Sequence, residues 1–542
     1  MTGDSQMTAR CAYNPKVINI FKEMKTRSYN PQSREWSFHV SEHDELVSSL
    51  SKCSNVSVKP LPATFLKALR ELESQSSAVS SEMVSLEHIW QALPPDLLAG
   101  LLPFQREGIA FAIRHGGRAL IGDEMGLGKT VQAIAIAKYY EKEWPLLIVT
   151  PSPLRLVWKQ ELMKWLKDVD HEDVNVIMSG KDQMGGKITI ISYDLFLKFT
   201  EELSKMSINV LIADESHFLK SSSAKRTKAI LPLIRKVRRA ILLTGTPALS
   251  RPSELYTQIS SLRPKLFGSW NEFAYRYCDA KPGRWALDAS GASNLSELRC
   301  LLNDVMIRRL KSEVLTQLPS KRRQQIWVQT SKEANAAFKK KLEEMQSLNA
   351  IVMNNRAAPE ERKNAKGLAQ LLMNQLYKET GAEKLAAVKE YLATMVDGGG
   401  KFLVFGHHIE DEEHPHRRST SMSERARLVD AFQKDPDISA AVLSVTAAGT
   451  GLTFTAANAV VFAELHWTPG VMMQAEDRVH RIGQQYSVNI HYMLAKGSVD
   501  DIMWPCIEKK LNVVGNALDG QGVGNFGGES ITLGEGEEGG RS

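Results

Sequence analysis

The sequence predicts an α/β fold: two lobes built on parallel sheets, with a helical insertion, preceded by a small α+β unit. Two observations predict it. From Leu101 to about Leu243, and again from Phe402 to Phe462, short apolar β-type runs alternate with helical patterns. Near-continuous apolar strands spaced by helices mark a parallel sheet covered on both faces. The length of 542 residues is also too great for one hydrophobic core and suggests three or four domains.

Taken in order, residues 13 to 50 form the first unit. Val17 to Met24 reads as a short helix, Tyr29-Asn-Pro-Gln-Ser33 as a turn, and Trp36-Ser-Phe-His-Val40 as an alternating strand. Residues 74 to 86, rich in Ser and Glu, read as a linker. The strands of the first lobe are Leu146–Val149, Ile188–Ile191, Val210–Ala213 and Ala240–Leu243. A charge-laced helical stretch runs from Ser331 to about Met395. Strand–helix alternation then resumes with Phe402–Phe405, Ala441–Ser444 and Ala459–Phe462. After Asn512 the chain is dense in Gly and Glu and poor in apolar residues, which predicts disorder. The expected units are 10–70 (first domain), 71–97 (linker), 98–320 (lobe one), 321–514 (lobe two with its helical insertion, shortened near 408–420) and 515–542 (disordered tail).

Composition excludes some classes. The 43% hydrophobic and 24% charged content is that of a folded globular protein. No apolar run reaches the ~18 residues that span a bilayer, so no membrane partner is expected. Met1-Thr-Gly-Asp-Ser-Gln6 has neither a charged n-region nor an apolar h-region and does not read as a secretory signal. Cys11, Cys53, Cys278, Cys300 and Cys506 are odd in number and lack C-x-x-C spacing, which argues against a disulfide framework or zinc site. A net charge of +6 permits an acidic partner without requiring one.

The chemistry lies in three segments. Asp123-Glu-Met-Gly-Leu-Gly-Lys-Thr130 follows the apolar run Ala119–Ile121 and opens a helical pattern, Val131 to Tyr140. A strand, a turn holding Asp123, Gly126 and Gly128, and a helix N-terminus together cradle phosphate with backbone N–H groups and the helix dipole. Lys129 would reach the β/γ phosphates of ATP, and the Thr130 hydroxyl would hold Mg²⁺. The first position is Asp123 where the general phosphate-loop pattern has glycine.

Val210-Leu-Ile-Ala-Asp-Glu-Ser-His217 is an apolar strand ending in two carboxylates. At the carboxyl end of a parallel strand, Asp214 would bind Mg²⁺ with Thr130, and Glu215 would orient or activate water. The plain alternative is a solvated acidic loop. Gln474-Ala-Glu-Asp-Arg-Val-His-Arg-Ile-Gly-Gln484 places Arg478 and Arg481 three apart, hence on one helical face. Aimed at ATP held by the other lobe they would act as arginine fingers; the alternative is a surface helix. The basic runs Arg235–Arg239 and Lys339–Lys341 read singly as solvated faces, with DNA contact as the other reading.

Asp123–Thr130, Asp214-Glu-Ser-His217, Leu243-Thr-Gly-Thr-Pro247 and Gln474–Gln484 resemble, in order and spacing, the motor motifs of Swi/Snf-related superfamily-two helicases. The resemblance covers roughly residues 100 to 512 and implies two RecA-like lobes and a DNA-dependent ATPase. It implies that Gln105, in Leu102-Pro-Phe-Gln-Arg106, reads the adenine. It also implies that Thr150–Ser152, Thr244–Thr246 and Thr446 with Gly449–Gly451 serve DNA contact or interlobe coupling. Ile307–Lys311 and Leu318–Lys321 are similar to the segment joining the lobes. Tyr13-Asn-Pro, Phe21–Met24, Tyr29-Asn-Pro31 and Trp36-Ser-Phe38 through His43 resemble the HepA-related (HARP) domain of annealing helicases. That implies a nuclear motor that rewinds separated strands and remodels stalled replication forks, with forked DNA as partner. Tyr29 and Trp36 would stack on bases at a fork junction, or form the core of this small unit.

The sequence departs from that pattern twice. After Phe402-Leu-Val-Phe-Gly-His-His408 relatives continue with a helix and a strand, whereas here Ile409-Glu-Asp-Glu-Glu-His-Pro-His416 leads to a reduced turn, Arg418-Ser-Thr420. Losing an interior strand would leave neighbouring N–H and C=O groups unpaired, so lobe two either closes by an unusual route or is impaired. His407, His408, His414 and His416 read as a junction loop and not as a metal site. At the N-terminus no segment for recruiting replication protein A is recognisable, so targeting through that partner is not expected, and the first strand of the HARP-like unit reads as absent. The competing readings are a nucleosome-remodelling ATPase and, if lobe two is defective, a non-catalytic DNA-binding scaffold.

Overall fold

The computed structural model describes residues 6–63, 65–67, 69–70, 85–283, 287–315, 317–354, 356–407, 420, 422–445, 452–520 and 529–532. The linker expected at 74 to 86 falls almost wholly outside them.

The first unit combines helices Pro15–Glu23 and His43–Ser51 with a small antiparallel sheet. Asn14 caps helix Pro15–Glu23 by accepting from the Lys16 N–H, and Pro15 supplies the fixed φ of a first helical turn. The strand order is Gln6–Ala9, Glu35–His39, Ser28–Asn30. The first of these corrects the sequence reading, which has no strand there. Gln6-Met-Thr-Ala9 is too short and polar to announce itself; its pairing with 35–39, which sets Met7 opposite Phe38, makes it a strand. Phe21 and Phe38 are buried with ring centroids 5.2 Å apart, so they form the core, while Trp36 lies between Phe21 and a half-exposed Tyr29. This core does not stand alone. Phe21, Phe38, Phe65 and Leu66 belong to one continuous apolar cluster with Leu266, Phe267 and Phe273 of lobe one.

Lobe one is a seven-stranded parallel sheet in the order Met306–Ile307, Arg118–Ile121, Arg239–Leu243, Val210–Asp214, Leu146–Thr150, Ile188–Ser192, Val174–Val176. Its register matters for function: Ile121 lies beside Leu243, and Leu243 beside Asp214. The glycine loop, the acidic pair and the Thr244–Thr246 turn therefore leave the sheet at one edge, the carboxyl ends of its strands.

Lobe two is a six-stranded parallel sheet: Ala440–Ser444, Phe402–Gly406, Ala459–Phe462, Val488–Ala495, Lys321–Val328, Glu529–Thr532. The expected gap near 408–420 falls almost wholly outside the described residues, and the strands on either side of it are paired. Phe402–Gly406 pairs residue for residue with Ala440–Ser444, and Phe402–Phe405 with Ala459–Phe462, so among the described residues this strand has a neighbour on both sides. Among the described residues Ala440–Ser444 is the edge strand, where Val442 is 63% exposed, and an edge leaves no buried ladder bonds open. Residues 408–419, which hold most of the histidine run, lie outside the described residues.

The helical insertion is a hairpin, Lys332–Met353 and Pro359–Asp397. A buried pair, Lys384 Nζ to Asp500 Oδ2 at 2.9 Å, ties it to the start of the last helix, Asp500–Leu518. That helix corrects the expected disordered tail at its first residues, while 521–528 and 533–542 lie outside the described residues. It runs past 514 to Leu518, which joins the lobe-one cluster beside Leu298 and Leu302, and Glu529–Thr532 adds a strand to Gln324–Trp327. Composition alone reads glycine and glutamate; tertiary contacts fix the segments that carry a few apolar residues. No helix among the described residues is long and apolar enough to cross a membrane.

Candidate active site between the lobes

Gly126 and Gly128 hold φ of 84° and 74°, the left-handed values that favour glycine, and turn the chain from strand Arg118–Ile121 into helix Lys129–Tyr139. Gly128 caps that helix without a side-chain acceptor, leaving the first-turn N–H groups for an anion. Lys129 Nζ folds over the loop and donates to the carbonyls of Asp123 (2.9 Å) and Glu124 (3.3 Å). Burial holds Lys129 below its ordinary lysine value against the opposing charges of Glu215, Asp123 and Asp214.

The Asp123 carboxylate points away from the loop's mouth. It is fully buried and receives Arg309 Nε at 2.9 Å, Arg309 Nη2 at 2.6 Å and Gln132 Nε2 at 2.9 Å. This bidentate pair pins the loop from behind and gives a structural reason for aspartate where the pattern has glycine. Of Asp123, the main-chain carbonyl is what faces Lys129. Gln105 is buried too: its Oε1 accepts from Leu102 N–H at 2.9 Å and its Nε2 donates to the Leu127 carbonyl at 3.0 Å. Thr130, one residue into the helix, is half-buried.

Asp214 ends its strand with Oδ2 accepting from Trp158 Nε1 (2.8 Å) and Thr150 Oγ1 (3.2 Å), and Oδ1 from Glu215 N–H (2.9 Å). Glu215 adopts φ 49°, a left-handed conformation costly for a non-glycine residue and concentrated at functional sites. His217 Nδ1 stands 3.2 Å from Glu215 Oε2 and 3.1 Å from Thr244 Oγ1. Burial and the adjacent Glu215 charge push Asp214 up to about 6. Burial works against Glu215 as well, but His217, Lys129 and Arg478 outweigh it and keep that carboxyl below its ordinary value. Two carboxylates so close, one of them driven toward protonation, form a donor set that a divalent cation would neutralise. Among the described residues no group of three or more His, Cys, Asp or Glu could hold a metal unaided. A cation at Asp214 and Thr130 would thus take most of its ligands from phosphate and water, as Mg²⁺ does.

Lobe two closes onto this edge. Gln474 Nε2 donates to Thr246 Oγ1 at 3.0 Å, and Gly470 lies so near Leu249 that an added Cβ would stand 2.4 Å from its Cδ2. An added Cβ on Gly126 would likewise come within 2.7 Å of Arg481 Cβ. Arg478 is buried facing Glu215 and Asp214; burial pulls it down to about 10 while Glu215 resists. The two arginines do not share a helical face, which corrects the sequence reading. Helix Pro469–Glu476 stops before them, and the turn that follows sends Arg478 toward the acidic pair and Arg481 Nη1 to Thr453 Oγ1 at 2.7 Å. The physical reason is that the Arg478 carbonyl accepts from the Phe454 N–H at 2.9 Å and so is lost to an intrahelical ladder that would have continued through Arg481.

Thr150 and Thr244–Thr246 line the same edge, whereas Thr446 and Gly449–Gly451 lie outside the described residues. The basic runs do not. Arg239 is held by Glu143 at 2.6 Å over the Tyr140 ring, and Lys341 pairs with Glu379. Sequence reasoning missed Trp158, and placed Arg309 and Lys311 only in the segment joining the lobes, without a role at this site.

Comparison with known proteins agrees with this architecture. The SNF2-related domain matches residues 66–380, HepA-related protein (HARP) residues 7–61, and the helicase conserved C-terminal domain residues 383–483. The chain is 42% identical over 545 residues to SWI/SNF-related matrix-associated actin-dependent regulator of chromatin subfamily A-like protein 1 of Xenopus laevis, covering 95% of this chain and 54% of that protein. It is 47% identical over 460 residues to DNA annealing helicase and endonuclease ZRANB3 of Mus musculus (79% and 42% covered). To the Caenorhabditis elegans homolog of the former it is 37% identical over 528 residues (93% and 73% covered). The chain thus spans about half the length of the two vertebrate relatives.

Proposed function

The chain belongs to the SNF2-related ATPase family and carries the HARP domain, and from that premise we propose that it is a DNA-dependent ATPase that rewinds separated strands and remodels stalled replication forks in the nucleus. The observation that carries this reading is the meeting of the glycine loop, the Asp214–Glu215 pair and Arg478 at one closed interlobe face. The relatives' names, a chromatin regulator and a DNA annealing helicase, support the substrate and the compartment.

In this reading the N–H groups at the start of helix Lys129–Tyr139 bind the phosphates, and Lys129 leaves the Asp123 and Glu124 carbonyls to meet the β/γ oxygens. The Thr130 hydroxyl and Asp214 would hold Mg²⁺, which would supply charge neutralisation at the transferring phosphoryl group. Glu215, kept ionised by His217, orients the attacking water and accepts its proton. Arg478 stabilises the charge that builds on the γ-phosphate, and Arg481 leaves Thr453 to join it. Gln105 selects adenine by exchanging its Leu127 bond for the base. The bond from Gln474 to Thr246 lets hydrolysis move the lobes relative to each other. The exposed Tyr29 edge of the HARP sheet offers a stacking surface at a junction.

The test is ATPase turnover without DNA and with single-stranded, duplex and forked DNA, beside Lys129→Ala. Strong stimulation by forks, at least a hundredfold lower in the variant, is expected on an order-of-magnitude basis. Turnover that no DNA stimulates, in a folded chain, sinks the motor and favours the scaffold; stimulation by nucleosomes over forks favours the remodeller.

A further inference from the structure

Lys311 comes from the segment that leaves lobe one, yet its side chain ends in lobe two. Its backbone N–H donates to Glu124 Oε2 at 2.7 Å, fixing its near end to the glycine loop. Its ammonium, almost fully buried, lies 2.7 Å from Asp477 Oδ1, bonds the carbonyl of His480, and stands 3.7 Å from Glu124 Oε1. Asp477 and His480 are the immediate neighbours of Arg478 and Arg481.

The residues before it are equally anchored to the loop. Arg309 grips the Asp123 carboxylate, and Arg308 donates to the carbonyls of Gly122 (2.9 Å) and Gly245 (3.1 Å). The segment Arg308–Lys311 is therefore tied at successive points to the residues that would shift when phosphate enters. Lys321 and Arg323, by contrast, hold Glu476 and Asp477 from within lobe two's own first strand, at 3.0 Å (Lys321–Glu476), 3.5 Å (Lys321–Asp477) and 2.7 Å (Arg323–Glu476). They stiffen the arginine segment; Lys311 sets where it sits against the loop.

We infer that Lys311 is a positioning residue, an interlobe cation that sets the arginine pair against the nucleotide and passes movement of the glycine loop to lobe two. The inference rests on the ATPase reading above. The Lys311 ammonium is engaged by Asp477 and the His480 carbonyl, so its loss should slow turnover and leave nucleotide affinity alone.

Lys311→Met keeps the buried stem, and the chain should fold, because Asp477 retains Lys321 and Glu124 retains the backbone N–H. The experiment measures fork-stimulated kcat and KM, the Kd of a fluorescent ATP analogue, and Tm for the unmodified chain, Lys311→Met, Asp477→Asn and the double variant. About a tenfold fall in kcat with Kd changed less than about twofold is expected in each single variant. The double variant should be no slower than the slower single one, since both break the same link. Should Lys311→Met not fold, the same readouts on Asp477→Asn decide. Unchanged kcat, a matching loss of affinity, or additive losses in the double variant each overturn the inference. If the unmodified chain shows no DNA-stimulated turnover, the ATPase reading fails first and the inference falls with it; stimulated turnover with undiminished variants removes the inference alone.

Discussion

Asp214 shows how a single residue links stability to chemistry. Its carboxyl, pushed up to about 6, binds more protons in the folded chain than in the unfolded one between roughly pH 4 and 6. Stability of the ligand-free protein is therefore lost as pH rises through that window, the reverse of an ordinary ion-paired carboxylate. Asp214→Asn removes the charge, and Tm of the ligand-free chain at neutral pH should rise by several degrees while turnover is abolished; calorimetry at pH 4 and pH 7.5 checks it, and an equal shift at both would refute it. The same site predicts that the Mg²⁺ concentration for half-maximal turnover increases as pH falls below about 6, which a magnesium titration at pH 5.5 and 7.5 measures. For the arginines, Arg478→Ala should cost more in kcat than Arg481→Ala, because Arg478 already faces the acidic pair while Arg481 must leave Thr453.

Among the elements, the glycine loop is constrained twice. At Gly126 a side chain meets both a φ of 84° and Arg481 at 2.7 Å, so Gly126→Ala should strain the loop by about 1–3 kcal/mol and hold the lobes apart. Gly399, with φ 73° and nothing within 4 Å of an added Cβ, is the control, carrying strain without the steric block. DNA-stimulated kcat should fall more than about tenfold in the first and little in the second; equal effects would mean that strain alone matters. The lobe-two sheet makes a related point. A shortened loop reads in sequence as damage to an interior strand, but among the described residues Phe402–Phe405 is paired on both sides and Ala440–Ser444 is the edge strand.

Across the whole molecule, the HARP unit and lobe one share a core. Phe65 and Leu66 lie in the same apolar cluster as Leu266 and Phe267, and these residues, Leu66 excepted, line a cavity of about 380 Å³ at the seam. Phe65→Ala should then lower the melting temperature of lobe one along with that of the HARP unit, at a cost of about 3–5 kcal/mol. Differential scanning calorimetry should show one joint transition for the two; a HARP unit melting by itself with lobe one unmoved would show that the shared cluster carries no energy. The last helix works at the same scale, starting at the Lys384–Asp500 pair of lobe two and ending at Leu518 in the lobe-one core, with Asp519 receiving Arg308 at 2.6 Å.

Periodicity and local chemistry were enough for the two parallel sheets, the helical insertion, and the residues of the glycine loop and acidic pair, because apolar alternation and the φ demands of Gly126 and Gly128 act within a few positions along the chain. What they could not supply depends on neighbours distant in sequence. That the Asp123 carboxylate turns inward to Arg309, that Arg478 and Arg481 diverge, that Gln6–Ala9 pairs with 35–39 and that Leu518 docks on lobe one were all decided by tertiary contact. A buried charge takes the partner that folding brings to it, and a short polar segment becomes a strand only when a partner edge is there to accept its hydrogen bonds.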